Sequence, residues 1–129
     1  MEPPALLAVA LGAAIGGVAR YLISLLFVTR FGSGFPWGTL FINVSGSLLI
    51  GIVAALAEAR ALGMTPLVRL FAATGVLGGY TTFSAFSLEA VTLSGAGAGV
   101  ASLLYMFGSV ALGYGAAYGG MVCVRLALR

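Results

Sequence analysis

Ten consecutive residues concentrate the chemistry available to this chain: Gly78-Gly79-Tyr80-Thr81-Thr82-Phe83-Ser84-Ala85-Phe86-Ser87. The threonines and serines are hydrogen-bond donors as well as acceptors. Phe83 and Phe86 are three apart and share a helical face. Such pairs usually pack, but an aromatic ring also carries a positive edge that can meet an anion without holding a full charge. The stretch interrupts an apolar run, Leu70 to Leu88, that is long enough to cross a membrane. A glycine in a helix interior costs about 1 kcal/mol relative to alanine, so the paired glycines weaken the helix. Broken backbone at membrane depth survives only where protein buries it or water reaches it. The segment reads as a discontinuous transmembrane helix, and such breaks are where transporters and channels handle ions.

The remaining polar residues within apolar segments are few: Arg20, Thr39, Asn43, Ser45, Ser47, Thr74, Glu89, Tyr105 and Ser109. A Ser or Thr in a membrane helix commonly bonds its own i−4 carbonyl, which is the plain reading of each hydroxyl. Asn43 has no comfortable intrahelical partner for all its donors and acceptors. It reads equally as interhelical glue and as a ligand contact. No carboxylate lies deep in a span; Glu89 falls late in its helix, and Glu2 and Glu58 fall at ends. Cation pathways normally carry an intramembrane carboxylate. Hydroxyls, an amide, ring edges and one semi-buried arginine are a donor set, and donors suit an anion. Backbone N–H groups at the start of a resumed half-helix add to that preference. Carbonyls ending the preceding half-helix face the other way and suit a cation.

The elements that must position these residues follow from composition. Of 129 residues, 61% are hydrophobic and 7% are charged, against about 25% charged in a soluble domain. The chain is therefore expected to be an all-α membrane protein, one four-helix domain over residues 1–129. The expected spans are Ala5–Val28, Trp37–Ala57, Leu67–Leu93 with a break over Gly78–Thr82, and Val100–Val124. Pro66 suits a helix start. Glu2 and the long first apolar stretch argue against a cleaved signal peptide. The lone Cys123 reads as a buried structural thiol. All six basic residues are arginine, near span ends, which suits headgroups and calls for no nucleic-acid partner. There is no histidine, which removes the commonest general base; no triad, metal cluster or phosphate loop appears, so no enzyme is expected. Arg60, Arg69, Arg125 and Arg129 against Arg30 and Arg20 give a modest bias toward cytoplasmic termini. Gly12 and Gly16, Gly75 and Gly79, and Gly115 and Gly119 are spaced for close helix approach, and 20 glycines in all predict self-association.

Three motifs carry a family resemblance. Gly16-Gly17-Val18-Ala19-Arg20-Tyr21, Pro36-Trp37-Gly38-Thr39-Leu40-Phe41-Ile42-Asn43-Val44-Ser45-Gly46 and the Gly78–Phe86 segment resemble the Fluc (CrcB) fluoride channels, and the likeness spans nearly the whole chain. It departs at Ala85, where the family usually has threonine. The resemblance implies an antiparallel, dual-topology homodimer in the cell inner membrane, surrounded by lipid. It implies two pores per dimer, passive fluoride export and relief of fluoride toxicity. It implies a fluoride pathway of Asn43, Phe83, Phe86, Thr39, Tyr105, Ser109 and Ser84, with Arg20 at the vestibule. It also implies a structural sodium ion held at the dimer interface by the backbone carbonyls of Gly78 and Thr81. The alternative is a small proton-coupled multidrug exporter, for which Glu89 is the one available carboxylate; a non-transporting membrane subunit is a third class.

Overall fold

The computed structural model describes residues 3–129, so the Glu2 on which the signal-peptide expectation leans lies outside it. The helices are α1 (Pro3–Phe31), α2 (Trp37–Glu58), α3 (Pro66–Arg69), α4 (Gly78–Tyr80), α5 (Phe83–Gly95) and α6 (Gly99–Ala127). A π-helical stretch, Leu70–Leu77, joins α3 to α4. Among the described residues there is no strand. Three helices, α1, α2 and α6, are continuous, long and apolar enough to cross a membrane. At 1.5 Å per residue the 29 residues of α1 reach about 43 Å, beyond the roughly 30 Å of hydrocarbon.

Glycines decide how these helices meet. A Cβ on Gly12 would lie 2.6 Å from the Phe71 carbonyl oxygen, and one on Gly79 would lie 2.5 Å from that of Ala13. Gly16 likewise faces Val76 and Tyr80. α1 and the Leu70–Tyr80 segment thus run parallel with their backbones in contact. Gly51 faces Ala117 and Gly120 faces Leu48, so α2 and α6 form a second parallel pair. Small residues permit this approach where lipid supplies no hydrophobic drive between helices. The Gly12, Gly16, Gly75 and Gly79 set that predicted self-association is therefore occupied within the chain, whereas Gly115 and Gly119 face open space.

The glycine pair at Gly78–Gly79 does not bend the chain. Gly78 is helical (φ −64°, ψ −37°), and the helix-weakening argument is overridden because Gly79 is needed for contact with α1. The chain leaves the helix two residues later, at Thr81 (φ −79°, ψ 159°) and Thr82 (φ −151°, ψ 124°). Thr82 then caps α5, its Oγ1 accepting the Ala85 N–H at 3.2 Å.

Two small clusters make the core. Ile42, Leu77 and Tyr80 form one, and Phe86, Ala90 and Tyr105 the other. Most large apolar side chains of α1 and α6, such as Leu7, Leu11, Val18, Leu104 and Phe107, are exposed, as suits a surface facing acyl chains or another subunit. Cys123 is exposed as well, contrary to the buried thiol expected. The reason is that α6 buries only Ser102, Tyr105 and Gly120.

Candidate functional site

The interruption between α4 and α5 leaves polar backbone inside an apolar bundle, and each such group needs a partner. Asn43 on α2 meets that need. Its Nδ2 donates to the Thr82 carbonyl at 2.9 Å, and its Oδ1 accepts the Thr82 N–H at 2.9 Å. One turn along α2, Gly46 leaves room for the Thr81 methyl and the Tyr80 ring. Asn43 and Gly46 thus form a seat shaped for the extended pair. Asn43 is interhelical glue here, and it keeps one Nδ2 hydrogen and one Oδ1 lone pair uncommitted.

This pairing changes which carbonyls are free. In a continuing helix the Thr82 N–H would bond to the Gly78 carbonyl, but Asn43 Oδ1 takes it. The Ala85 N–H would bond to the Thr81 carbonyl, but Thr82 Oγ1 takes it. Two neutral backbone oxygens three residues apart are thereby released from helical amides. Such oxygens suit a hard cation. Arg20 Nη1 approaches the Thr81 oxygen at a long 3.4 Å, so a guanidinium stands beside this pair.

A groove of about 400 Å³ opens over the interruption. It brings together Asn43, Gly78, Thr81, Phe83, Phe86 and Ser109. Phe83 is 79% exposed, whereas Phe86 is buried. Their ring centroids are 5.7 Å apart, and Phe86 also packs on Tyr105 at 5.0 Å. Ser109 Oγ is buried without a hydrogen-bond partner among the described residues, a state that costs roughly 1–3 kcal/mol. The groove therefore holds an unsatisfied hydroxyl and a spare amide donor along with an exposed ring.

Thr39 and Tyr105 lie elsewhere, at the end of the bundle where α2 begins. Thr39 Oγ1 donates to Glu89 Oε1 at 2.7 Å, and Tyr105 Oη donates to Glu89 Oε2 at 2.7 Å. Glu89 and Thr39 also line a cavity of about 310 Å³ with Ser24, Ser33 and Thr92. The two hydroxyls assigned to an anion path thus have a carboxylate as acceptor in this chain. Sequence reasoning missed this grouping. The available signal was that Glu89 is the one acid within a span and must find donors. Ser84 is exposed and reaches only Thr82 Oγ1, at 3.4 Å. Thr81, Ser87 and Thr92 make the expected i−4 bonds to Leu77, Phe83 and Leu88.

Apolar helices of membrane-spanning length, joined around a hydrogen-bonded interruption that gathers polar side chains into one groove, define a multi-pass membrane protein. A family model described as "CrcB-like protein, Camphor Resistance (CrcB)" matches residues 7–121. The chain belongs to the CrcB family. It is 48% identical over 120 residues to a Rhizobium meliloti protein named "Fluoride-specific ion channel FluC", covering 93% of this chain and 95% of the relative. It is 50% identical over 121 residues to a Nitrobacter winogradskyi protein of the same name, covering 94% and 95%. A Hyphomonas neptunium protein, also of that name, is 46% identical over 119 residues, covering 92% and 94%.

Proposed function

We propose that this chain is a fluoride-selective channel of the inner membrane that passively exports fluoride. The observation that carries the reading is the Asn43–Thr82 pairing. It holds open an intramembrane interruption beside Phe83, Phe86 and the unpartnered Ser109 hydroxyl. Fluoride is small and strongly hydrated, so an entering ion must exchange water for other donors. The spare Asn43 N–H, the Ser109 hydroxyl and ring edges are such donors. No arginine side chain lines this groove, which keeps binding weak enough for exit. The relatives' printed names support fluoride as the ion.

The working unit in this reading is an antiparallel homodimer of four-span subunits, with the third span divided at Thr81–Thr82 and two pores per dimer. The open groove and the 79% exposure of Phe83 support it, because a pore wall left half-built by one chain needs a second. Gly78 and Thr81 would hold sodium through their carbonyls, where the ion supplies positive charge that fixes the interruption. Arg20 stands close enough to the Thr81 oxygen to share that oxygen or compete for it.

Fluoride efflux from liposomes containing only this protein, followed with a fluoride electrode and with chloride as the control anion, tests the function. Fluoride-selective efflux is expected; equal chloride passage or none of either would overturn it. Glu89 among Thr39 and Tyr105 is the one observation favouring a proton-coupled exporter. That reading predicts cation uptake driven by a pH gradient and abolished by Glu89→Gln.

A further inference from the structure

The α2–α3 connection and the start of the next helix line a second, open cavity of about 750 Å³. It lies at the end of the bundle opposite Glu89 and shares only Ala73 with the groove. Arg60, Arg69, Thr65 and Thr74 supply its polar lining. We propose that this cavity is a binding site for a phosphate-type oxyanion, clasped between the guanidinium groups of Arg60 and Arg69.

Two arginines at a helix end follow from the positive-inside tendency, but their meeting in one cavity does not. The backbone brings them together. Arg60, Leu62 and Gly63 all adopt positive φ (51°, 52° and 66°), in a connection that places Arg60 in the same cavity lining as Arg69. A left-handed conformation is unfavourable for a residue with a side chain, so this loop accepts local strain to deliver Arg60. The guanidinium is a planar fork matched to phosphate oxygens.

Neither arginine has a hydrogen-bonding or ionic partner among the described residues. Glu58, the described acid on this side, is taken by Arg125 at 2.8 Å. Glu89 is held by Thr39 and Tyr105 at the far end. Two like charges facing one cavity repel, and an oxyanion between them turns that repulsion into attraction. The cavity lies beside the end of α2, where the apolar span gives way to polar residues, as span ends do at headgroup level. Basic pockets between helices at that depth take anionic headgroups. The same chemistry would accept a free phosphate ion.

Thermal unfolding of the intact protein in neutral detergent tests the site. Three additions are compared at matched ionic strength: phosphatidylglycerol, phosphatidylcholine and inorganic phosphate. An upward shift of several degrees is expected with phosphatidylglycerol or phosphate, and a much smaller one with phosphatidylcholine. Arg60→Gln and Arg69→Gln should each lose most of that shift. Arg129→Gln removes the same charge from the same end but outside the cavity, and should keep it. Arg69→Lys preserves charge without the fork and should weaken apparent affinity at least fivefold, which decides the matter should a glutamine variant fold poorly. A shift unique to phosphatidylglycerol assigns a lipid headgroup; an equal shift with inorganic phosphate assigns a free anion. No shift in the wild-type protein, a shift surviving in Arg60→Gln and Arg69→Gln, or equal loss in Arg129→Gln would overturn the proposal.

Discussion

The side-chain amide of Asn43 and the backbone of Thr82 form a closed two-bond ring, each bond 2.9 Å long. Both polar groups of an extended residue are satisfied at once by one side chain from a neighbouring helix. Asn43→Leu keeps the volume and removes both bonds, leaving a half-buried N–H and C=O unpaired. At roughly 1–3 kcal/mol for each of the two unpaired groups, a loss of about 2–6 kcal/mol is expected in equilibrium unfolding. A smaller loss than Ser87→Ala, which deletes a bond within one helix, would show that the ring does not hold the interruption.

In the proposed channel, substitutions at Phe83 and Phe86 are expected to separate conduction from folding. Phe83 is 79% exposed in the single chain, and Phe86 packs against Tyr105 and Ala90. Phe83→Ile should leave the subunit's stability nearly unchanged and abolish fluoride efflux. Phe86→Ile should reduce efflux and also lower the melting temperature, since Phe86 belongs to the core. Full efflux through Phe83→Ile would remove the aromatic pair from the mechanism.

How much of this was legible in the sequence depends on whether the signal was local. Apolar runs are local, and α1, α2 and α6 fall within a few residues of the expected spans. The hydroxyl-rich stretch marked an interruption, and the chain does leave the helix inside the expected Gly78–Thr82 window, at its far end. Gly78 and Gly79 suggested a weak helix, whereas they remain helical so that Gly79 can touch Ala13. That contact joins residues 66 apart in sequence, and no local pattern encodes it. The Thr39–Glu89–Tyr105 grouping draws on three helices and was hidden for the same reason. Cys123 looked buried because its neighbours are apolar, yet an apolar neighbour in a membrane chain is as often turned outward.

The glycines give a graded test of helix contact. Gly79→Ala would place a methyl 2.5 Å from the Ala13 oxygen, a backbone atom that has nowhere to move. Destabilisation of about 1–3 kcal/mol is expected from such overpacking. Gly119→Ala meets nothing within 4 Å, so helix propensity alone should stabilise the subunit by up to about 1 kcal/mol. Unfolding in detergent measures both. A destabilised Gly119→Ala dimer with a normal monomer would place a second subunit against that face of α6.

Glu89 is coupled to two donors, and the coupling is measurable. Tyr105→Phe and Thr39→Val each remove one hydrogen bond to the carboxylate. Hydrogen bonds to charged groups contribute about 1.5–3 kcal/mol. Each variant should cost that much in wild-type protein and markedly less in a Glu89→Gln background, read as a double-mutant cycle. Additive costs would mean that the three residues do not act as a unit.

Sodium dependence is the expectation if the freed carbonyls of Gly78 and Thr81 hold the proposed ion. Those oxygens lose their helical amides to Asn43 and to Thr82 Oγ1, so a cation would gain two ligands that no backbone N–H contests among the described residues. Only Arg20 approaches one of them, at 3.4 Å. If the site holds sodium, replacing it with N-methylglucamine throughout purification should weaken dimer assembly or stop efflux. Asn43→Leu releases the Thr82 N–H to compete for the Gly78 oxygen, and should raise the sodium concentration required. Arg20→Gln removes the rival charge and should lower it. Efflux and assembly indifferent to sodium in all three proteins would leave those carbonyls without a cation, and the interruption would then rest on Asn43 alone.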